Sequence, residues 1–195
     1  MKKFEELIIQ RGQEVSSLIE RFCAEQAGTV ALMANAMVKA LRGGGKVLAL
    51  GNGGSAADAQ HFAAEMINRF LMERKALPAV ALSTDTSVLT SIANDYSFEG
   101  VFSRQVEALG REGDVLLAIS TSGTSTNVLK ALEQANILSM VTIGMTGSDS
   151  GKMSSLCDIC MSVPGRPAPR IQEVHHLALH LICEIIEIQL FSHGT

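Results

Sequence analysis

Between Val47 and Glu65 the chain passes from a short apolar run through a glycine cluster into an alanine-rich segment, and this order restricts the fold more than any other feature. Val47-Leu-Ala-Leu50 is uninterrupted by polar residues, as a parallel strand buried on both faces requires. Gly51, Gly53 and Gly54 carry no Cβ, so the backbone can turn sharply and approach a ligand closely. Ser55 is expected as the N-cap of the helix that follows, whose alanines favour helix. Strand, glycine turn and helix N-terminus in succession suit an anionic or polyhydroxylic ligand, because first-turn N–H groups have no intrahelical acceptor. His61 and Glu65 are four residues apart on that helix and therefore share a face.

The rhythm continues down the chain. Ala79–Leu82, Val115–Ile119, Met140–Met145 and Ile159–Val163 are four further apolar runs. Helical segments separate them at about 55–72, 87–93, 98–109 and 127–135, and a long helix over 171–191 closes the chain. The alternation predicts an α/β fold: a five-stranded parallel sheet, doubly wound, with helices on both faces and ligands at the carboxyl ends of the strands. Before it, Phe4, Leu7, Ile8, Val15, Leu18, Ile19 and Phe22 recur at helical intervals. Gly28 is expected to break that helix, giving an N-terminal helix pair over residues 1–42. Residues 1–195 read as a single domain without linkers or low-complexity tracts.

Charged residues are only 18% of the chain and mean hydropathy is +0.23. With no uninterrupted apolar run of bilayer length, that balance predicts surfaces covered in an oligomer. A net charge of −4 argues against broad nucleic-acid or membrane-surface binding. Acidic residues follow Met1-Lys-Lys-Phe too soon for a secretory signal, so a cytoplasmic location is expected. Cys157 and Cys160 have CxxC spacing without a second pair and lie in a strand segment, which favours a structural role for them.

Three further groups could carry chemistry. Ser120-Thr-Ser-Gly-Thr-Ser125, between a strand and a helix, offers hydroxyls and free N–H groups that bind phosphate without needing lysine or arginine. On the closing helix His176 and His180 are four apart, suiting two ligands of one metal. Gln172, two turns before His180, is rotated about 80° from it but is long enough to reach the same point. Asn94-Asp95 ends the short helix after the second strand and could bind sugar hydroxyls. Arg69 and Arg166, the nearest basic residues, are expected at the surface. A competing dinucleotide reading takes Gly51-Asn-Gly-Gly-Ser-Ala56 as G-x-G-x-x-A with Asp85 as the ribose acid, but leaves the serine loop and the His/Glu helix unexplained.

Together these residues resemble the sugar isomerase (SIS) domain family and, within it, the phosphoheptose isomerases. The similarity covers essentially the whole chain, including Gly51-Asn-Gly-Gly-Ser55, Asp58-Ala-Gln-His-Phe-Ala-Ala-Glu65, Ile92-Ala-Asn-Asp95, Ile119-Ser-Thr-Ser-Gly123 and Arg170-Ile-Gln-Glu-Val-His175. It implies a cytoplasmic homotetramer that converts sedoheptulose 7-phosphate to D-glycero-D-manno-heptose 7-phosphate, toward the ADP-heptose of lipopolysaccharide. The resemblance makes Glu65 and His180 the proton-transfer pair. It makes His61, Glu65, Gln172 and His180 the ligands of one zinc ion, with Gln172 displacing His176. Substrate contacts fall on Asn52, Gly53, Gly54, Ser55, Glu65, Asn94, Asp95 and Gln172, and those on the phosphate side on Ser120, Thr121, Ser122 and Ser125. A sister group of the family binds the replication initiator DnaA instead, and Met66–Phe70 and Leu77–Leu82 look at least as much like that group. The intact Glu65 and His180 favour the enzyme.

Overall fold

A computed structural model describes residues 1–192. Five strands, β1 (Val47–Gly51), β2 (Ala79–Ala81), β3 (Val115–Ser120), β4 (Val141–Thr146) and β5 (Ile159–Ser162), form one parallel sheet in the order β2-β1-β3-β4-β5. The six helices are α1 (Lys2–Arg42), α2 (Gly54–Ile67), α3 (Thr86–Asp95), α4 (Ser103–Leu109), α5 (Thr126–Ile137) and α6 (Ala168–Phe191). From β1 the chain leaves toward one sheet edge, and from β3 toward the other, so a topological switch point lies between these two central strands.

Strand residues alternate between two cores. Val47, Ala49, Val115, Leu117, Ile119, Ile143 and Met145 face α1, α2 and α6. Leu48, Leu50, Leu116 and Ala118 face α4 and α5. Both faces are covered, which explains why the strands read as continuous apolar runs rather than alternating ones. By length and composition α6 could cross a membrane. Here Ile171, Val174, Ala178, Leu179, Ile182 and Ile186 use that apolar surface against the sheet.

The expected doubly wound sheet is present, and four local expectations need correction. The N-terminal helix pair is one continuous helix of 41 residues. Gly28 weakens a helix by about 1 kcal/mol but removes no hydrogen bond, and Val30, Met33, Ala34 and Met37 are buried immediately beyond it. Ser55 is not the N-cap: Gly53, at φ 55°, takes that position, and Ser55 is buried in the first turn of α2. The helix from Ser55 stops at Ile67, five residues early. The segment 98–109 splits into a single 3₁₀ turn (Phe98–Gly100) and α4.

The early stop of α2 has a clear cause. Glu187, near the end of α6, is 1% exposed and accepts hydrogen bonds from the backbone N–H groups of Phe70, Leu71 and Met72 (2.8–2.9 Å) and from Arg74 Nε (2.9 Å). Arg74 in turn donates to the carbonyls of Met66 and Glu65, both at 2.7 Å, and so caps the last turn of α2 with a cation. Burial pushes the Glu187 carboxyl up, but its backbone donors and Arg74 outweigh that and hold it below the usual carboxylate range.

Removing one partner leaves the other charged, buried and unpaired. Arg74→Ala should therefore lower unfolding stability by about 3–5 kcal/mol, measured by denaturant titration. Because the folded pKa of Glu187 is depressed, its contribution is present above the ordinary carboxylate pKa and is lost as pH falls through the lowered folded value. Glu187→Gln should flatten that acid limb. At Gly28 the position a side-chain methyl would take has no neighbour within 4 Å, so Gly28→Ala should raise stability by about 0.5–1 kcal/mol in the same assay.

Candidate functional site

The site is built where α2 and α6 run side by side. Gln172 packs on Gly54, where a Cβ would lie 2.5 Å from its amide nitrogen and push the side-chain amide aside. One turn further, His176 Nδ1 lies 3.3 Å from Asp58 Oδ1. Beyond that, His180 Nε2 meets His61 Nε2 at 2.8 Å, and Glu65 Oε1 is 3.6 Å from the same His61 nitrogen. Each step along α6 thus finds its counterpart on α2.

Three imidazoles converge here. The His176 ring centroid is 4.4 Å from that of His61 and 4.5 Å from that of His180, and one ligand atom from each of the three lies within 4.8 Å of the others. All three are half-buried. The Phe70 ring, 5.2 Å from that of His180, supplies an apolar wall. Burial, followed by the neighbouring His176 and His61, pushes the His180 pKa down against the opposing pull of Glu65, which favours the neutral imidazole. Neutral imidazoles at this spacing can hold a divalent cation.

Asp58 is a member of the site that sequence reasoning misses. Its Oδ2 is buried without a hydrogen-bond partner among the described residues, and burial raises its carboxyl above the usual range while His176 pulls it down. A carboxylate behind a histidine fixes the ring and its tautomer, the arrangement found behind metal-bound imidazoles. The chain does carry a signal for it: Asp58 stands three residues before His61, on the same helical face. His175, by contrast, is a structural residue. Fully buried, its Nε2 donates to the Thr146 carbonyl at 3.0 Å, and burial lowers its pKa to about 4.

At the switch point the two ligand loops are joined. Asn52 and Asn127 exchange reciprocal amide hydrogen bonds, both 2.9 Å, which lock the loop after β1 to the first turn of α5. Ser120, the last residue of β3, places its hydroxyl 3.2 Å from that of Ser125 and 3.4 Å from that of Ser122. Ser125 is the N-cap residue of α5, yet its side chain makes no capping bond. The hydroxyls gather on one another, and the start of α5 is left to an external acceptor. Thr121, Ser122 and Thr124 line a cleft of about 490 Å³ with Ser148, Asp149, Arg166 and the start of α6.

Three further residues behave differently. Asn94 and Asp95 bond each other (2.8 Å) at the exposed end of α3. Asp85 accepts from Val88 N at 2.9 Å as the N-cap of α3, so the acid of the dinucleotide reading is occupied as a cap. Cys157 and Cys160 both lie over Gly144 in the sheet, away from any second cysteine pair.

Comparisons with known proteins agree with this geometry. The SIS domain family matches residues 12–147. A phosphoheptose isomerase of Desulfovibrio desulfuricans is 52% identical over 187 residues, covering 96% of this chain and 89% of that relative. One of Aliarcobacter butzleri is 52% identical over 186 residues, covering 90% and 98%. Among solved structures, phosphoheptose isomerase GmhA from Neisseria gonorrhoeae superposes with a TM-score of 0.90 at 44% identity, covering 94% of this chain and 98% of that one. A phosphoheptose isomerase from Francisella tularensis gives 0.90 at 40% identity, covering 95% and 98%. With its histidines, glycine turn and hydroxyl loop carried on such a sheet, the chain belongs to the SIS-domain family and, within it, to the phosphoheptose isomerases.

Proposed function

We propose that this chain is an aldose–ketose isomerase that converts sedoheptulose 7-phosphate to D-glycero-D-manno-heptose 7-phosphate. One observation supports the reading above others: a carboxylate from α2, Glu65, and an imidazole from α6, His180, meet at the same nitrogen of His61. Isomerisation requires a base to remove a proton from C1 of the ketose, giving an enediol. An acid then delivers a proton at C2, while the C1 oxygen becomes the carbonyl and the C2 oxygen the hydroxyl. Glu65 and His180 are the groups within reach of one another that can take and return those protons. The phosphate binds to Ser120, Thr121, Ser122 and Ser125 at the N-terminus of α5, and fixes which carbons lie beside the acid–base pair. Asn52, Gly53, Gly54, Ser55, Gln172, Asn94 and Asp95 are left for the sugar hydroxyls.

The donor set fits a divalent metal, for which we take zinc. On the family resemblance His61, Glu65, Gln172 and His180 would hold it, whereas the ligand atoms gathered within 4.8 Å of one another are those of His61, His176 and His180. Bound there, such an ion supplies Lewis-acid polarisation of the carbonyl and hydroxyl oxygens. A homotetramer accords with the first quarter of α1, where Phe4, Leu7, Ile8 and Ile9 are exposed. A cytoplasmic location accords with a biosynthetic role.

The segments that look like the DnaA-binding group have structural employment here. The Met66 carbonyl accepts from Arg74 and from Leu77 N, the Phe70 N–H binds Glu187, and Met66 and Leu77 are buried. Packing accounts for them.

Incubating the purified protein with sedoheptulose 7-phosphate and following the aldose by NMR tests the proposal directly; no product would refute it. Glu65→Gln and His180→Gln should each reduce kcat by at least about a hundredfold with the circular-dichroism spectrum unchanged. Ser120→Ala should raise KM severalfold and leave kcat nearly intact. For the metal, chelator treatment should abolish turnover and zinc should restore it. Zinc content measured by mass spectrometry should fall in His61→Ala and persist in His176→Ala; loss in the latter would make His176, not Gln172, the fourth ligand.

A further inference from the structure

The hydroxyl loop that binds the phosphate in the proposed function is electrically neutral. A dianion seated there alone would face Asp149 across the same cleft, in a chain whose net charge is −4. Among the described residues, one cationic side chain lines that cleft: Arg166, from the connection between β5 and α6. We propose that Arg166 is a phosphate-binding residue, closing over the Ser120–Ser125 loop to pair with the phosphate of the substrate. This rests on the isomerase reading only for the identity of the ligand; the anion site itself is argued from this chain.

Four observations carry it. First, Arg166 is exposed and makes no hydrogen bond or ion pair among the described residues, so its guanidinium is available. The neighbouring Arg170 differs: both carboxylate oxygens of Glu173 hold it, at 2.7 Å. Second, the backbone before Arg166 is fixed. Gly165 sits on Leu18 of α1, where a Cβ would come within 2.8 Å of the leucine methyl, and its N–H bonds the Val163 carbonyl at 2.8 Å. Arg166 therefore starts from a defined point at the cleft rim.

Third, charge favours one direction for the side chain. Arg166 also borders a smaller cleft of about 240 Å³ on its other side, but that cleft holds Arg21 and Arg170, and its one carboxylate, Glu14, is already engaged by Arg11 at 2.6 Å. Arg21 and Arg170 have their own carboxylates in Glu25 and Glu173, so that side offers the guanidinium no free anion, whereas a phosphate attracts it on the hydroxyl side. Fourth, the facing wall is stitched in place: Gly147 N bonds the Thr121 carbonyl at 3.1 Å, and Met153 N bonds that of Gly123 at 3.3 Å. The loops after β3 and β4 are thereby held as one surface against which the arginine can close. A planar guanidinium makes two parallel charge-assisted bonds to phosphate oxygens, adding a net positive charge and a fixed orientation that hydroxyls cannot.

The test compares wild type, Arg166→Gln and Arg166→Lys. Two readouts are used: isomerase kinetics with sedoheptulose 7-phosphate, and the rise in melting temperature produced by inorganic phosphate, which requires no turnover. Arg166→Gln should raise KM roughly tenfold or more, with kcat within about twofold, and should remove most of the phosphate-induced stabilisation. Arg166→Lys should recover part of both, and the wild-type KM should rise with added salt more steeply than that of Arg166→Gln. Unchanged KM and unchanged phosphate stabilisation in Arg166→Gln would overturn the assignment while leaving the isomerase standing. If wild type shows no turnover but loses phosphate stabilisation in Arg166→Gln, the anion site is upheld and the isomerase reading falls. Because Arg166 is exposed and unpaired, the variant's melting temperature without phosphate should match wild type and serves as the folding control.

Discussion

The arrangement of the site depends on α2 and α6 being held side by side in a fixed register, and the buried contact between Glu187 and the end of α2 does this. The two helices meet at three successive levels, Gln172 on Gly54, His176 on Asp58 and His180 on His61, and beyond them Glu187 holds residues 70–72 and Arg74, just past the end of α2. Sliding one helix by a single turn would move its side chains about 5.4 Å along the axis and separate every pair. The apolar contacts between them tolerate such slips far better than the polar ones. Glu187 has four donors in a water-free place, so any slip leaves a carboxylate without partners. A buried ion pair is weak support for stability in general; its contribution here is to register.

Much of this is legible in the sequence because it is local. Apolar runs flanked by glycine give strands, and the spacing of His61 and Glu65 puts them on one face without knowledge of anything else. The departures come from contacts made across more than a hundred residues. Nothing near Ile67 announces the end of α2, since the residue that ends it is Glu187. Gly28 reads as a break on propensity alone; burial of Val30, Met33 and Met37 beyond it decides otherwise. Asp58 is hidden for a similar reason. An acidic residue early in a helix reads as a favourable charge near the dipole, and only the arrival of His176 from α6 turns it into a partner for an imidazole.

The loops show a second principle. Asn52 and Asn127 each commit one amide N–H and the carbonyl oxygen to the other, and Ser120, Ser122 and Ser125 share their hydroxyls. Such groups are held in place by one another before any ligand arrives, so little ordering is demanded when it does. The amide pair also ties the β1 loop to the β3 loop across the switch point. The sugar end and the phosphate end of the site are therefore parts of one polar assembly, not two loops that move independently.

An acidic chain that binds an anion must concentrate positive potential where it is needed, and the topology achieves this without a basic patch. In a parallel sheet every strand points the same way, so each helix that follows a strand starts at the same edge. The N-termini of α2, α5 and α6, at Gly54, Thr126 and Ala168, all lie at the carboxyl edge of the sheet. Each contributes a partial positive charge and free N–H groups. His61 and Glu65, by contrast, sit seven or more residues into α2, and His176 and His180 eight or more into α6, about 10 Å or more down each axis, where the N-terminal field has weakened. An anionic group is drawn to the helix starts and a polarisable carbonyl is left to the imidazoles and carboxylate. A ligand with a phosphate at one end and a carbonyl at the other thus has only one favourable direction in which to bind.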